Sequence, residues 1–403
     1  MRQNRYMLFD LVTIELLLNL PFLKVEKVEL EKQTLHIYCH SILEESICTK
    51  CLKKINEVKK ITIREVRDLS ITGKTVILHL RSRQFYCPDC ESYNQEQFTF
   101  VKASHTMTER YESYVYMCCK NSTIERVSLQ ENIVWDCVQK IFTTHAKLET
   151  AFLQKYQPKR IGIDEFAIKK GHKDFATVIV DLDKGHVLDV LDFRTKEELI
   201  AYFQAKGTDY CHAIEVFSCD LWDGFISTAK TVFPNADIVA DRFHFFKLLH
   251  EVLDKERKKL RREFKNEEDF KAIKWLLFKA WEKLNEQQRK TLIRAFRKSA
   301  ILRQLYFAKN ELRNIFESHI SKEEAQILVA KWVETVKELK HNVLDHFLKT
   351  LERHKNIILN FFTHRVSNGI VEGINNAIKA LKRNGFGYRN FDNFKLRIIA
   401  NFC

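Results

Sequence analysis

Arg160-Ile161-Gly162-Ile163-Asp164-Glu165-Phe166 reads as a short apolar strand that delivers a carboxylate. A second run, Ile214-Glu215-Val216-Phe217-Ser218-Cys219-Asp220, does the same. Between and after them the pattern alternates. Residues 175–182 and 186–193 read as a hairpin around Asp183-Lys184-Gly185, and residues 196–206 as a helix before the strand that ends at Asp220. A further helix at 222–231 leads through Pro234-Asn235 to the short strand Ile238-Val239-Ala240-Asp241.

Three strands, helix, strand, helix, strand is the order of a ribonuclease-H-like α/β core. In that order the first strand and the strand after the first helix are neighbours, so Asp164 and Asp220 are expected side by side. From 245 to 360 the pattern is helical throughout, with Trp275, Trp281 and Trp332 as expected core anchors. The next carboxylate of interest, Glu372, lies 152 positions after Asp220, which requires an all-helical insertion inside the core.

At about 100° per residue Glu372, Asn375, Asn376, Lys379, Lys382 and Arg383 share one helix face. Ile370, Val371, Ile374, Ala377, Ile378 and Leu381 share the other. That polar face suits a metal and a polyanion, although an ordinary amphipathic surface helix has the same pattern. Three convergent carboxylates, Asp164, Asp220 and Glu372, can hold two hard divalent cations about 3.5–4 Å apart, the geometry that serves phosphoryl displacement. Asp241 also ends a short apolar run and is the runner-up for the second ligand. His244, three residues on, reads equally as a structural histidine or a contact to a scissile phosphate.

With 67 Lys+Arg against 53 Asp+Glu, the net charge of +14 favours a polyanionic partner. The charge is clustered: residues 255–265 carry seven cations, among them Lys258, Lys259, Arg261 and Arg262, and Lys379, Lys382, Arg383, Arg389, Lys395 and Arg397 follow in 379–397. Four Pro and ten Gly in 403 residues leave little for flexible linkers, so the domains are expected to pack on one another. The apolar stretch near Leu11–Leu23 is interrupted and too short to span a bilayer, and a cytoplasmic, nucleoid-associated protein with no membrane partner is expected.

An odd count of 11 cysteines argues against a disulfide framework. Cys48-Thr-Lys-Cys51 and Cys87-Pro-Asp-Cys90 are two knuckles of the kind that hold one structural zinc, with the strand-like Thr75–Leu80 between them. The 35-residue gap between knuckles is longer than usual. Residues 106–150 read as short helices divided by Cys119-Lys120-Asn121-Ser122-Thr123 and by Gln130-Glu131, which fits a helix-turn-helix or a plain helical linker.

Taken with Ala240-Asp241-Arg242-Phe243-His244, Asp220-Leu221-Trp222 and Ser367-Asn368-Gly369-Ile370-Val371-Glu372-Gly373-Ile374-Asn375-Asn376, these stretches make the chain resemble a DDE transposase of bacterial insertion sequences, in the ISL-three family with its N-terminal zinc finger. The resemblance spans nearly the whole chain. It implies a multidomain α+β protein: a β-rich region with zinc ribbon at 1–105, a helix-turn-helix at 106–150, a ribonuclease-H-like core at 155–244 and 361–403, and a helical insertion at 245–360. It further implies Asp164, Asp220 and Glu372 as ligands of two Mg²⁺ or Mn²⁺ ions, and Asp241 and His244 as accessory residues. Double-stranded DNA, as the element's terminal repeats and its target, is the implied partner. Lys258, Lys259, Arg261, Arg262, Asn375, Asn376, Lys379, Lys382 and Arg383 are the expected DNA contacts, and a homodimer or higher oligomer the expected assembly for synapsing two ends. A nuclease that cuts without joining and a catalytically silent DNA-binding protein are the alternatives.

Overall fold

The computed structural model describes residues 10–168, 175–264, 273–339, 342–366, 368–385 and 387–403. Lys265 and Ser367 lie outside the described residues. The chain divides into two compact units, 1–147 and 148–403.

The first unit is built on one long hairpin. β5 (Val58–Ile71) and β6 (Lys74–Cys87) pair antiparallel around Thr72 and Gly73, both at positive φ (50° and 76°), the backbone that the tightest hairpin turns require. β1 (Leu23–Glu31) and β2 (Thr34–Ser41) extend the sheet in the order β1-β2-β6-β5, with β2 parallel to β6. Ile37, Cys39, Val66, Val76, Leu78 and Leu80 form its buried face, covered by Ile14 and Leu18 of α1 (Leu11–Leu18). β3 (Ser46–Ile47), β4 (Lys54–Ile55) and β7 (Ser92–Gln95) frame the cysteine knuckles.

Three helices follow: α2 (Glu109–Asn121), α3 (Ile124–Glu131) and α4 (Trp135–Lys155). Thr108 and Thr123 cap the first two by accepting from Tyr111 and Arg126 backbone N–H groups. Asn132 in the left-handed region ends α3 where the sequence predicts a break. Tyr111 and Tyr114 hydroxyls both donate to Glu131, at 2.8 and 3.1 Å, tying α2 to the end of α3.

The second unit centres on a five-stranded sheet of order β10-β9-β8-β11-β12. Its strands are β8 (Arg160–Ala167), β9 (Phe175–Asp181), β10 (His186–Leu191), β11 (Val216–Cys219) and β12 (Asp237–Ala240), with α5 (Lys196–Ala205), α6 (Thr208–Ala213) and α7 (Asp223–Val232) between them. β9 runs antiparallel to β8 and β10, while β8, β11 and β12 are mutually parallel. Period-two alternation divides the side chains between two cores. Ile161, Ile163, Ile179 and Phe217 point to one face, against Leu199, Phe203 and Phe225 of α5 and α7. Phe166, Ala176, Val178 and Val180 point to the other, into a core continuous with the remaining helices.

Those helices are α8 (Arg242–Glu263), α9 (Lys274–Phe278), α10 (Glu286–Lys298), α11 (Ala300–Glu317), α12 (Lys322–Glu338), α13 (Asp345–Arg353), α14 (Lys355–His364), α15 (Gly369–Asn384) and α16 (Phe391–Phe402). Among the described residues 242–366 contain no strand, as the sequence predicts. Trp332 is an anchor, 1 % exposed, its Nε1 donating to the Ala308 carbonyl at 2.9 Å. Trp275 is not: it is 67 % exposed, because five-residue α9 buries only Leu277. α14 returns the chain to the sheet, Asn360 Nδ2 donating to the Ile238 carbonyl at 2.8 Å. α15 then packs on β8 and β9, and α16 on β10.

Candidate active site

β8 and β11 pair through Ser218↔Gly162, and β11 and β12 through Cys219↔Ala240. Continuing each register places Asp164, Asp220 and Asp241 level with one another at the carboxyl ends of three adjacent parallel strands. Open α/β sheets bind their ligands at those ends. Asp164 sits inside β8 rather than closing it, on the face that Phe166 shares.

Asp164 and Asp220 are strained as anions. Burial first, with the Asp220 charge adding to it, pushes Asp164 up to about 6 against the lowering effect of the Glu165 amide, His244 and the Asn375 carboxamide. Asp220 is likewise raised, first by burial. Two half-buried carboxylates, each held above the usual carboxylate range, are a donor set that fits hard divalent cations. Each keeps acceptor capacity: Asp164 Oδ1 accepts from Glu165 N at 2.8 Å, and Asp220 Oδ1 from Trp222 N at 3.2 Å.

Asp241 is differently employed. Its Oδ1 accepts from Phe243 N at 3.0 Å as the cap of α8, and its Oδ2 binds His244 Nδ1 at 2.5 Å. That bond raises the His244 pKa, with the Asp164 and Asp220 charges adding to it. Asp241 therefore fixes the His244 ring beside the aspartate pair and favours its protonated form.

α15 covers the site because β8 leaves it room. A Cβ on Gly162 would lie 2.7 Å from Val371 Cγ2 and 2.8 Å from Leu182 Cδ2, so only glycine admits the helix at this depth. The result corrects the expected face. Asn375, expected as an exposed DNA contact, is buried, and its Nδ2 donates to Asp164 Oδ2 at 2.6 Å. Ile370, expected on the buried face, is 43 % exposed. Val371, Ile374 and Ile378 are buried as predicted. Glu372, Asn376, Lys379 and Arg383 are exposed, and Lys382 donates to the Ala167 carbonyl at 3.3 Å. Among the described residues, no three of Asp164, Asp220, Asp241, His244 and Glu372 bring ligand atoms within 4.8 Å of one another.

The basic run on α8 is less open than its composition suggests. Arg257 is buried on Asp254, Lys258 pairs with Asp254 at 2.9 Å, and Lys259 with Glu256. Arg261 and Arg262 are exposed.

In the first unit the four cysteines do converge. The sulfurs of Cys48, Cys51, Cys87 and Cys90 lie within 4.8 Å of one another, close to the spacing of about 3.8 Å that tetrahedral zinc with bonds of about 2.3 Å imposes. Leu52 and Glu91, each following the second cysteine of its knuckle, both take positive φ (58° and 45°), so the chain leaves both knuckles through a left-handed residue. Backbone N–H groups of Cys51 and Lys50 pull Cys48 down to about 6, while sulfur sharing with Cys51 and burial push Cys90 up to about 12. The donor set fits a cation that would ionise all four thiols. Thr49 fixes the first knuckle through its N–H and hydroxyl to Asn94 Oδ1, at 2.9 and 2.8 Å.

Sequence comparison accords with both sites. Residues 161–398 match the family described as "Transposase", the DDE domain of the ISL-three group, and residues 44–90 match that described as "zinc-finger of transposase IS204/IS1001/IS1096/IS1165". The chain is 27 % identical over 386 residues to the transposase for insertion sequence element IS1001 of Bordetella parapertussis, covering 94 % of this chain and 95 % of that one. It is 26 % identical over 298 residues to the transposase for element IS1557 of Mycobacterium tuberculosis, covering 68 % and 66 %. The chain belongs to the ISL-three transposase family: a zinc ribbon followed by a DDE-type DNA transposase domain. DNA binding and a divalent-metal requirement come with that membership. No helix among the described residues is long and apolar enough to cross a membrane.

Proposed function

We propose that Asp164, Asp220 and Glu372 are the metal-holding carboxylates of this transposase, on a ribonuclease-H-like core formed by 155–244 and 361–403 and interrupted by the helical insertion 245–360. The observation that carries this reading is the level row of aspartates where the parallel pairing of three strands ends, Asp164 and Asp220 both half-buried and the charge of Asp220 felt by Asp164. Bound Mg²⁺ or Mn²⁺ would supply Lewis acidity at the attacking and leaving oxygens of a phosphodiester. The chain's own groups do the rest. Asn375 holds one Asp164 oxygen in place. Asp241 holds His244, whose imidazolium presents its other ring nitrogen to the non-bridging phosphate oxygens. Glu372, exposed on the first turn of α15, completes the set when DNA and metal draw it inward.

Asp220 is preferred to Asp241 as the second ligand because β11 lies directly beside β8 whereas β12 is one strand further away, and Asp241 already serves as the cap of α8 and the partner of His244. In the first unit, zinc at the four cysteines is structural, all four positions being filled by protein. Helices α2 to α4 of 106–150, together with the ribbon of 1–105, read the terminal repeats. Lys258, Lys259, Arg261, Arg262, Asn376, Lys379, Lys382 and Arg383 track the phosphate backbone. Two copies synapse the two ends.

Asp164→Asn, Asp220→Asn and Glu372→Gln test the assignment. Each is expected to abolish Mg²⁺-dependent cleavage and joining of the DNA that flanks the element, with binding kept within a few fold. Full cleavage by Asp220→Asn together with loss in Asp241→Asn would transfer the second ligand to Asp241. Cleavage without strand transfer in the wild type would reduce the activity to that of a nuclease.

A further inference from the structure

Trp222 follows Asp220 by two residues and is 38 % exposed. Its own amide donates to Asp220 Oδ1 at 3.2 Å, which ties the position of the residue to that carboxylate. The ring does not hang loose. It meets buried Phe225 edge-on, with centroids 4.8 Å apart at 88°, and it lies over the first turn of α7. Gly224 is the seat: a Cβ there would meet the ring carbons Cη2, Cζ3 and Cζ2 at 2.2, 2.4 and 2.5 Å. Gly224 has no positive φ to justify it, so close approach of the indole is the physical reason for glycine at this position. The adjacent Asp223 is paired with Arg353 at 2.8 Å, which offsets its negative charge.

A large aromatic ring, held flat from below and open from above within two residues of a metal-binding carboxylate, has a natural occupant in a DNA-cutting protein. Bases stack on such rings irrespective of sequence, because every base has a π-face. We propose that Trp222, seated on Gly224, is a stacking platform for an unpaired nucleobase next to the scissile phosphate, and so fixes where along the strand the cut falls. The proposal rests on the assignment of Asp220 as a metal ligand.

The test combines protein variants with abasic DNA. Once the cut is mapped, each flanking nucleotide is replaced in turn by an abasic one, and cleavage and binding are measured for wild type, Trp222→Ala, Trp222→Phe and Gly224→Ala. Trp222→Ala is expected to slow cleavage roughly five- to 150-fold, the range that loss of one stacked base gives. Trp222→Phe should recover most of it. Gly224→Ala should fall between, because it lifts the ring without removing it. At one flanking position the abasic lesion should slow the wild type and leave Trp222→Ala unchanged, since the two changes remove the same contact. Multiplying effects at every position, or Trp222→Phe as slow as Trp222→Ala, would overturn the proposal. Unfolding midpoints equal to wild type assign the losses to the contact. If Trp222→Ala does not fold, Gly224→Ala carries the same abasic comparison. Asp220→Asn keeps the two failures distinguishable: it should bind DNA with the wild-type abasic sensitivity while failing to cut, cutting by it would overturn the ligand assignment on which the platform rests, and lost abasic sensitivity in wild type would overturn the platform alone.

Discussion

Gly162→Ala is a one-methyl change that should uncouple the two halves of the site. The new Cβ would sit 2.7 Å from Val371 Cγ2 and 2.8 Å from Leu182 Cδ2, about 1 Å inside normal carbon contact. β8 is held by ladders on both edges, to β9 and to β11, so the element that gives way is α15. Overpacking of this kind costs about 1–3 kcal/mol. A retreat of α15 by about 1 Å stretches the 2.6 Å bond from Asn375 to Asp164 past the limit of a hydrogen bond, and it carries Glu372 away with it. Stability and cleavage should therefore fall together, with cleavage falling further because misplacement by about 1 Å costs about a hundredfold in rate. The assay is a double-mutant cycle with Val371→Ala, reading urea unfolding and end cleavage. The double variant should be less destabilised than the sum of the singles by about 1 kcal/mol, and it should regain part of the cleavage. Additive losses, or a Gly162→Ala protein with wild-type stability and rate, would refute the close-approach argument.

Zinc analysis of the purified protein should find one ion per chain, lost in Cys48→Ser or Cys87→Ser together with specific end binding; a zinc-free preparation that still discriminates end DNA would remove the ribbon from recognition. Burial, with the Lys309 charge second, holds His250 down at about 4, stacked on Phe278 at 4.5 Å. The unfolded chain, with an imidazole near 6.5, then binds the extra proton first, so stability is full above about pH 6.5 and declines toward pH 4, by about 2–3 kcal/mol at most; His250→Gln should flatten that decline in a series of chemical denaturations. Replacing Lys258, Lys259, Arg261 and Arg262 with Gln should weaken binding to all DNA alike and flatten the salt slope by at most about four units, nearer two if the Lys258 and Lys259 pairs persist in the complex, whereas an unchanged slope would make the run a solvated face.

Much of the candidate site is legible because apolar runs lead into its carboxylates, at a strand end for Asp220 and Asp241 and inside β8 for Asp164. Apolar runs closing on Asp164, Asp220 and Asp241 sufficed to predict neighbouring carboxylates, and the order of elements predicted that β8 lies beside β11. The four cysteines were equally plain, since two short knuckles have few other uses in a reduced protein. Helix orientation was harder. A helical wheel gives the angle between Glu372 and Asn375 but not the line along which the neighbouring strand touches, and that line is set by Gly162, two hundred residues earlier. A buried carboxamide one turn after Glu372 was thus read as a surface group. Trp275 departs from expectation for another reason: residue type alone does not fix burial, and a helix of five residues has too little surface to bury it. The quenching of the basic run by Asp254 and Glu256 was present in the sequence at i, i+3 and i, i+4 spacing, and counting those pairs would have found it.

Asn375 reaches Asp164 across 211 positions of chain. At a synthesis rate of about 5–20 residues per second, roughly 10–40 seconds pass between the two leaving the ribosome. The zinc-binding unit and the strands that carry Asp164, Asp220 and Asp241 are all made before that interval ends, while the helix bearing Glu372 is still unmade. On the division of roles proposed above, the part of the chain assigned to recognition is complete before the part assigned to scission.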